Sequence, residues 1–341
     1  MVLAASMPLH AADNYPTFLN KVSAGPDLAV QGEYVATVGK SYRIGIQIIA
    51  MGNGTFEGVA HGGGLPGAGW DRMTRLYLRG RRNGHVTRLH GVHGERLAFP
   101  NDNIRCEIKD GQLKGQALAF LKKAGSADLS GHRVQRASPT LGARPPRDAR
   151  VLFNGSNTNA WVDGQIDDMG LLVEGTRSKR EFGNYRLHLE FRTPFMPTAR
   201  GMHRGNSGVY LQELWEIQVV DSFGWTTENR KYERLSHVGR CGGIHELVMP
   251  QVNMCLPPLA WQTYDVEHRL GSVGADGKQR TPAVLSVRHN GVLIHDQFIL
   301  PPTPASQNRL PHRNHLPGRL LLQQHGNPVR YRNIWIVEIK P

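Results

Sequence analysis

Apolar residues recur at every second position along most of this chain, and long runs with helical spacing are missing. A period of two places one face of a strand on a core and the other away from it. Tyr185, Leu187, Leu189 and Phe191 alternate with Arg186, His188, Glu190 and Arg192. Val209 and Leu211 alternate with Tyr210 and Gln212, and Trp215, Ile217 and Val219 with Glu216 and Gln218. Turn pairs punctuate these runs. Gly52-Asn53-Gly54, Asp110-Gly111 and Asn290-Gly291 each separate two strand-like segments, which predicts three tight hairpins. His325–Pro328 predicts the turn between the last two strands. The fold class that follows is all-β: a β-sandwich preceded by a smaller β-rich domain.

Composition refines this picture. With 341 residues, 39 Gly and 21 Pro, the chain has room for two domains and many turns. Residues 1–30 read as an irregular lead-in, 31–137 as the small β-rich domain, 138–148 as a Pro-rich linker and 149–341 as the sandwich. The start, Met1–Asp13, is Ala-rich but lacks a basic n-region, so it reads as the remnant of an export signal and points to a periplasmic or secreted protein. No stretch is long and apolar enough to span a membrane.

The net charge of +13 comes from 41 basic and 28 acidic residues. The basic residues are scattered, the densest group being Arg79, Arg81 and Arg82 with His85 and Arg88. That pattern favours a solvated basic surface over a nucleic-acid partner. Cys106, Cys241 and Cys255 have no metal-ligand spacing. Cys241 and Cys255 can bridge in an oxidising compartment or stand as buried thiols. The Gly-rich run Gly62–Trp70 lacks the spacing of a phosphate loop and reads as a loop that covers something. No Ser-His-Asp or Cys-His arrangement and no HExxH spacing stands out.

The chemistry concentrates in Gly205–Asp221. Strict alternation turns Asp221 inward, whereas a one-residue bulge at Val219-Val220 returns it to the face of Glu216 and Gln218. The row is then carboxylate, amide, carboxylate, suited to general acid/base work on a sugar. A solvated sheet face is the competing reading. The spacing E-x-Q-x-x-D resembles the bulged E-x-D-x-x-E row of laminarinase-type glycosidases, but Gln218 removes the middle charge and argues against their retaining chemistry. Arg204 and Asn206 stand at the strand entrance, where they can contact sugar hydroxyls. His325 stands at a strand end as base, ligand or loop residue. Arg332 can bind substrate or pair with Glu190 or Asp221. Trp261 and Tyr264 can stack on a sugar or fill the core.

Taken together, Val151–Ser156, Trp161, Tyr185–Arg192, Gly205–Gln212, Glu216–Asp221, Cys241–Ile244, Trp261–Asp265, Asn290-Gly291 and Leu322–Trp335 resemble, in order and spacing, the 3-keto-disaccharide hydrolase family. The resemblance runs from about residue 150 to the end. Lys231–Gly239 matches no phrase of that family. The resemblance implies a concanavalin-like jelly roll acting on glycosides whose C3 is a ketone. C2 proton abstraction would be followed by elimination of the aglycone and hydration. It places Glu216, Asp221 and His325 as catalytic groups, with Glu216 or Asp221 as base and His325 as acid or ligand. Gln218, Asn206, Arg204, Tyr210, Glu190 and Arg332 would bind substrate. No dinucleotide fingerprint is present; a divalent metal ion polarising the ketone is left open. The partner expected is carbohydrate, with a non-catalytic carbohydrate-binding sandwich as the alternative. Oligomeric state is left open.

Overall fold

The computed structural model describes residues 15–92, 104–118, 126–225, 239–301 and 314–340. Eight antiparallel strands, β1 (Gly32–Val38), β2 (Tyr42–Gly52), β3 (Thr55–Gly62), β4 (Arg75–Asn83), β5 (Val86–Val92), β6 (Ile104–Lys109), β7 (Gln112–Leu118) and β8 (Ser126–Val134), close into a barrel in chain order. Closure pairs β1 with β8 and removes the exposed edges that an open sheet would leave. Inward residues such as Tyr34, Ile46, Ile48, Phe56, Leu78 and Leu113 fill it. The short helix α1 (Pro26–Val30) lies before it, and Asp27 there pairs with Arg82 of β4 at 2.9 Å.

The remaining strands are β9 (Arg150–Phe153), β10 (Trp161–Val162), β11 (Leu172–Val173), β12 (Thr176–Phe182), β13 (Tyr185–Arg192), β14 (Ser207–Leu211), β15 (Trp215–Val219), β16 (Gln262–Arg269), β17 (Ser272–Val273), β18 (Gln279–Thr281), β19 (Ala283–His289), β20 (Val292–Leu300), β21 (Gly318–Leu322) and β22 (Arg330–Glu338). One sheet runs β10-β12-β21-β14-β15; the other runs β11-β22-β13-β16-β19-β20 with β9 on β22, and β17-β18 form a separate ribbon. The apolar positions anticipated from the alternation, among them Leu187, Leu189, Val209, Ile217 and Val219, meet in one core between the sheets. This is the all-β sandwich expected from the pattern.

The three hairpins form where the turn pairs predict them. Asn53, Asp110 and Asn290 take φ of 53°, 50° and 50°, each followed by a glycine at positive φ. That left-handed pair matches the twist of the flanking strands.

The two units share a joint. Phe195 and Leu259 of the second unit enter the barrel's apolar cluster, and Ile49 of β2 enters the sandwich core. The Gly-rich run packs here: a Cβ on Gly67 would meet the Met254 side chain. The Pro-rich segment does not hang free. Ser138 hydrogen-bonds Thr263 at 2.6 Å, Thr140 donates to Asp265 at 2.6 Å, and the Gly142 amide donates to Glu190 at 2.6 Å. It is strapped across the outer face of the six-strand row β11–β20. Cys106, Cys241 and Cys255 are all free and buried, so no Cys241–Cys255 bridge is formed.

Candidate functional site

The ladder between β14 and β15 sets Tyr210 opposite Glu216 and Gly208 opposite Gln218. Their apolar neighbours face the core, so these four share the outer face. Gly208 matters because it has no side chain. A Cβ there would lie 2.8 Å from Cγ and Cδ of Glu216, so the glutamate can lie flat across the strand only over a glycine. The Tyr210 hydroxyl donates to Glu216 Oε2 at 2.7 Å and accepts from Gln323 Nε2 at 3.2 Å. Gln218 Nε2 donates to Asn206 Oδ1 and to the Ser207 carbonyl, both at 2.8 Å. The Asn206 amide in turn donates to Asn327 Oδ1 at 2.7 Å.

A segment far along the chain completes the cluster. The Gln218 and Gly242 amides exchange hydrogen bonds with Gly243 and Gln218 carbonyls at 2.8 Å, and the His245 amide donates to the Glu216 carbonyl at 3.0 Å. Ile244 thereby bridges Ile217 as an added edge. His245 is carried beside the acid: Nδ1 lies 3.3 Å from Gln218 Oε1 and 3.7 Å from Glu216 Oε2. The imidazole is 37 % exposed while the Glu216 side chain is 5 % exposed. Burial pushes the Glu216 carboxyl above the usual carboxylate range, with His245 and the Tyr210 hydrogen bond pulling the other way. Burial also raises the Tyr210 phenol, reinforced by the Glu216 charge.

This face is not a solvated one. Glu216 and Gln218 are both buried, with Glu216 Oε2 held by Tyr210 and Gln218 Nε2 by Asn206 and the Ser207 carbonyl. A buried carboxyl whose proton affinity is raised, beside a half-open imidazole, is an arrangement able to do acid/base work.

Several expected site residues fall elsewhere. β15 ends at Val219, and Val219 and Val220 both enter the core, the packing that one inserted residue produces, but Asp221 is drawn out of the row by a partner of its own. Asp221 is wholly buried and its Oδ2 accepts from Arg204 Nε at 2.6 Å. Arg204 is buried too, and its remaining donors reach the Ala50 carbonyl at 3.2 Å and Gln31 Oε1 at 3.3 Å in the barrel. The pair therefore ties the two units together, because a carboxylate this deep needs a fixed cation. Glu190 and Arg332 lie on the other sheet and bind each other at 2.7 Å. Burial alone would raise the Glu190 carboxyl. His188, 3.7 Å away, and hydrogen bonds from Asn333, the Gly142 amide and Arg332 instead hold it at about 2. Arg332 also stacks on Trp261, 4.0 Å from its ring centre. His325 is exposed on the turn after β21 and joins none of the cluster's hydrogen bonds. The segment without a family counterpart lies, from Lys231 to Val238, outside the described residues, as does Met1–Asn14.

His245 and Gln323 were missed. His245 follows directly on the Cys241–Ile244 phrase, yet nothing in its spacing signals that a loop lays it against β15. A groove of about 840 Å³ lies on the outer face of the other sheet. In its lining Arg186 and Arg269 pair with Glu267 at 3.1 and 3.0 Å. Among the described residues no three His, Cys, Asp or Glu converge as metal donors.

A sandwich with a buried acid, amide and phenol cluster on one sheet belongs to the class of carbohydrate-active β-proteins. The chain is a member of the 3-keto-alpha-glucoside-1,2-lyase-like domain family, whose model matches residues 148–337. Among solved structures, a candidate glycosyl hydrolase from Parabacteroides distasonis is 28% identical, over 57% of this chain and 85% of that one, with a TM-score of 0.50. A search of curated proteins found no match.

Proposed function

We propose that this protein cleaves glycosides whose sugar C3 is a ketone, by elimination followed by hydration, with Glu216 and His245 as the acid/base pair. The observation that carries the reading is the Glu216 carboxyl. It is buried, held by Tyr210 and set 3.7 Å from the more open His245, in a domain of a 3-keto-glucoside lyase-like family.

A C3 ketone acidifies the proton on C2, so a base of modest strength is enough. His245 takes that proton. The C2 electrons form the C1–C2 double bond as the C1–oxygen bond breaks. Glu216, which holds its proton above the usual carboxylate range, gives it to the departing glycosidic oxygen. The products are the free aglycone and an unsaturated keto-sugar. Water then adds across the double bond, hydroxyl to C1 and proton to C2, and the balance is net hydrolysis. No oxidant is consumed, because the ketone is already present in the substrate. Gln218 and Asn206, fixed by their mutual hydrogen bond, present an amide face suited to sugar hydroxyls.

The test compares aglycone release from a 3-keto-glucoside with release from its unoxidised parent. Turnover of the keto form alone supports the proposal. Turnover of the parent would indicate ordinary glycosidase chemistry. Sugar binding with turnover of neither would indicate a non-catalytic carbohydrate-binding sandwich. In heavy water, exchange of the C2 proton should vanish in His245→Ala, and its persistence there would remove His245 from the base role.

A further inference from the structure

The barrel carries a charged face that the keto-glycoside reading does not use. Arg79 and Arg81 of β4 and Arg88 and His90 of β5 are exposed around a shallow groove of about 630 Å³, with Thr55 and Asn83 at its margin. The ladder sets Arg81 directly opposite Arg88, and Arg79 opposite His90. Like charges facing each other across an antiparallel pair weaken a sheet. Glu107 relieves part of this through Arg88 at 2.6 Å, and Glu57 stands opposite Arg79 on β3. The same outward rows continue with Arg105 on β6, opposite His90, and Lys114 on β7, opposite Glu107. Five cations and two carboxylates thus share these outward rows, with Arg79, Arg105 and Glu57 already engaged in interactions of their own.

We infer that this face binds an acidic polysaccharide, a glycan carrying repeated carboxylate or sulfate groups. The guanidinium fork matches either anion with two hydrogen bonds. Alternate residues on a strand stand about 6.6 Å apart, so Arg79 and Arg81 present a row of donors to a polymer rather than a single point to a small ion. Among the described residues no Phe, Tyr or Trp lines the groove, so they offer the bases of a single-stranded nucleic acid no stacking platform. The choice of a glycan rests on the carbohydrate reading of the sandwich. The barrel would hold the polymer while the sandwich acts on oxidised sugar units.

Affinity electrophoresis of the full chain through polygalacturonate, neutral dextran and duplex DNA tests this, with the double variant Arg79→Gln/Arg81→Gln alongside. Polygalacturonate should retard the parent protein, salt should weaken the effect, and the double variant should show a Kd about tenfold higher or more. Absence of retardation, equal retardation of the double variant, equal retardation by dextran, or tighter binding to duplex DNA would each overturn the inference. Turnover of the 3-keto-glucoside is measured on the same samples. It should be unchanged in the double variant, which separates failure of this face from failure of the catalytic reading.

Discussion

Replacing Glu190 by Gln is expected to remove a pH-dependent share of the sandwich's stability. In the folded protein the Glu190 carboxyl ionises at about 2, against an ordinary value of 4.5. The carboxylate lies under the Gly142 amide and between Asn333 and Arg332. A lowered carboxylate value means that the folded state prefers the charged form. That stability is present in full above the unfolded value and is lost as pH falls through the folded one. A difference of about 2.5 units at 1.36 kcal/mol each gives about 3 kcal/mol. This is a ceiling, since Arg332 is 37 % exposed and water screens its share. The assay is urea unfolding followed by tryptophan fluorescence at about pH 6, 4 and 3. The gap between parent and Glu190→Gln should be widest at the highest pH and shrink towards the lowest. A gap that stays constant would refute the reasoning, since it would mean that the carboxylate's charge adds nothing. Turnover of a 3-keto-glucoside should be little altered; its collapse would return Glu190 to the substrate contacts that the family resemblance implied.

Glu216→Gln should keep the fold and lose about 10²- to 10⁴-fold in kcat for the keto-glycoside, the usual share of one general acid; circular dichroism and aglycone release check both halves. Because the working form of Glu216 is protonated and burial raises its carboxyl, activity should decline as pH rises through a value above the ordinary carboxylate range, and a kcat profile flat across that region would contradict the role. Gly208→Ala should push the Glu216 side chain off Tyr210 and lower kcat by about twofold to tenfold, the size of a lost neutral hydrogen bond at about 0.5–1.5 kcal/mol; unchanged kinetics would show that the carboxyl need not lie across β14. Arg204→Met strands the buried Asp221 carboxylate and should cost about 3–5 kcal/mol in urea unfolding, whereas a loss of activity without a loss of stability would restore the pair to the site.

Much of this molecule is legible along the chain. The period-two runs name the core faces of β13, β14 and β15, and the Asn-Gly and Asp-Gly pairs name the hairpins, because both signals act within a few residues. Half of the candidate site is equally local: Tyr210, Glu216 and Gln218 share a face by alternation alone. Asp221 is where the local argument fails. Its side depends on whether one extra residue is inserted after Val219; both Val219 and Val220 pack in the core, as that insertion requires, yet the buried Arg204 holds Asp221 away from the row. Glu190 and Arg332 fail for a related reason. Alternation gives each its face but does not say which sheet the strand joins, and the two lie on the sheet opposite to Glu216.

The sequence by itself determined the strands, the hairpins, the family and the acid on β15, since these follow from short-range periodicity and from ordered motifs. Only the tertiary structure decided that His245, not Asp221 or His325, stands beside that acid. The deciding contact joins residues 29 positions apart through backbone bonds between Glu216–Gln218 and Gly242–His245, and no periodic signal in either segment encodes it. Tertiary structure likewise assigned Asp221 to the joint with the barrel, because a carboxylate with no water must take whichever cation the fold brings to it, and the fold brings Arg204.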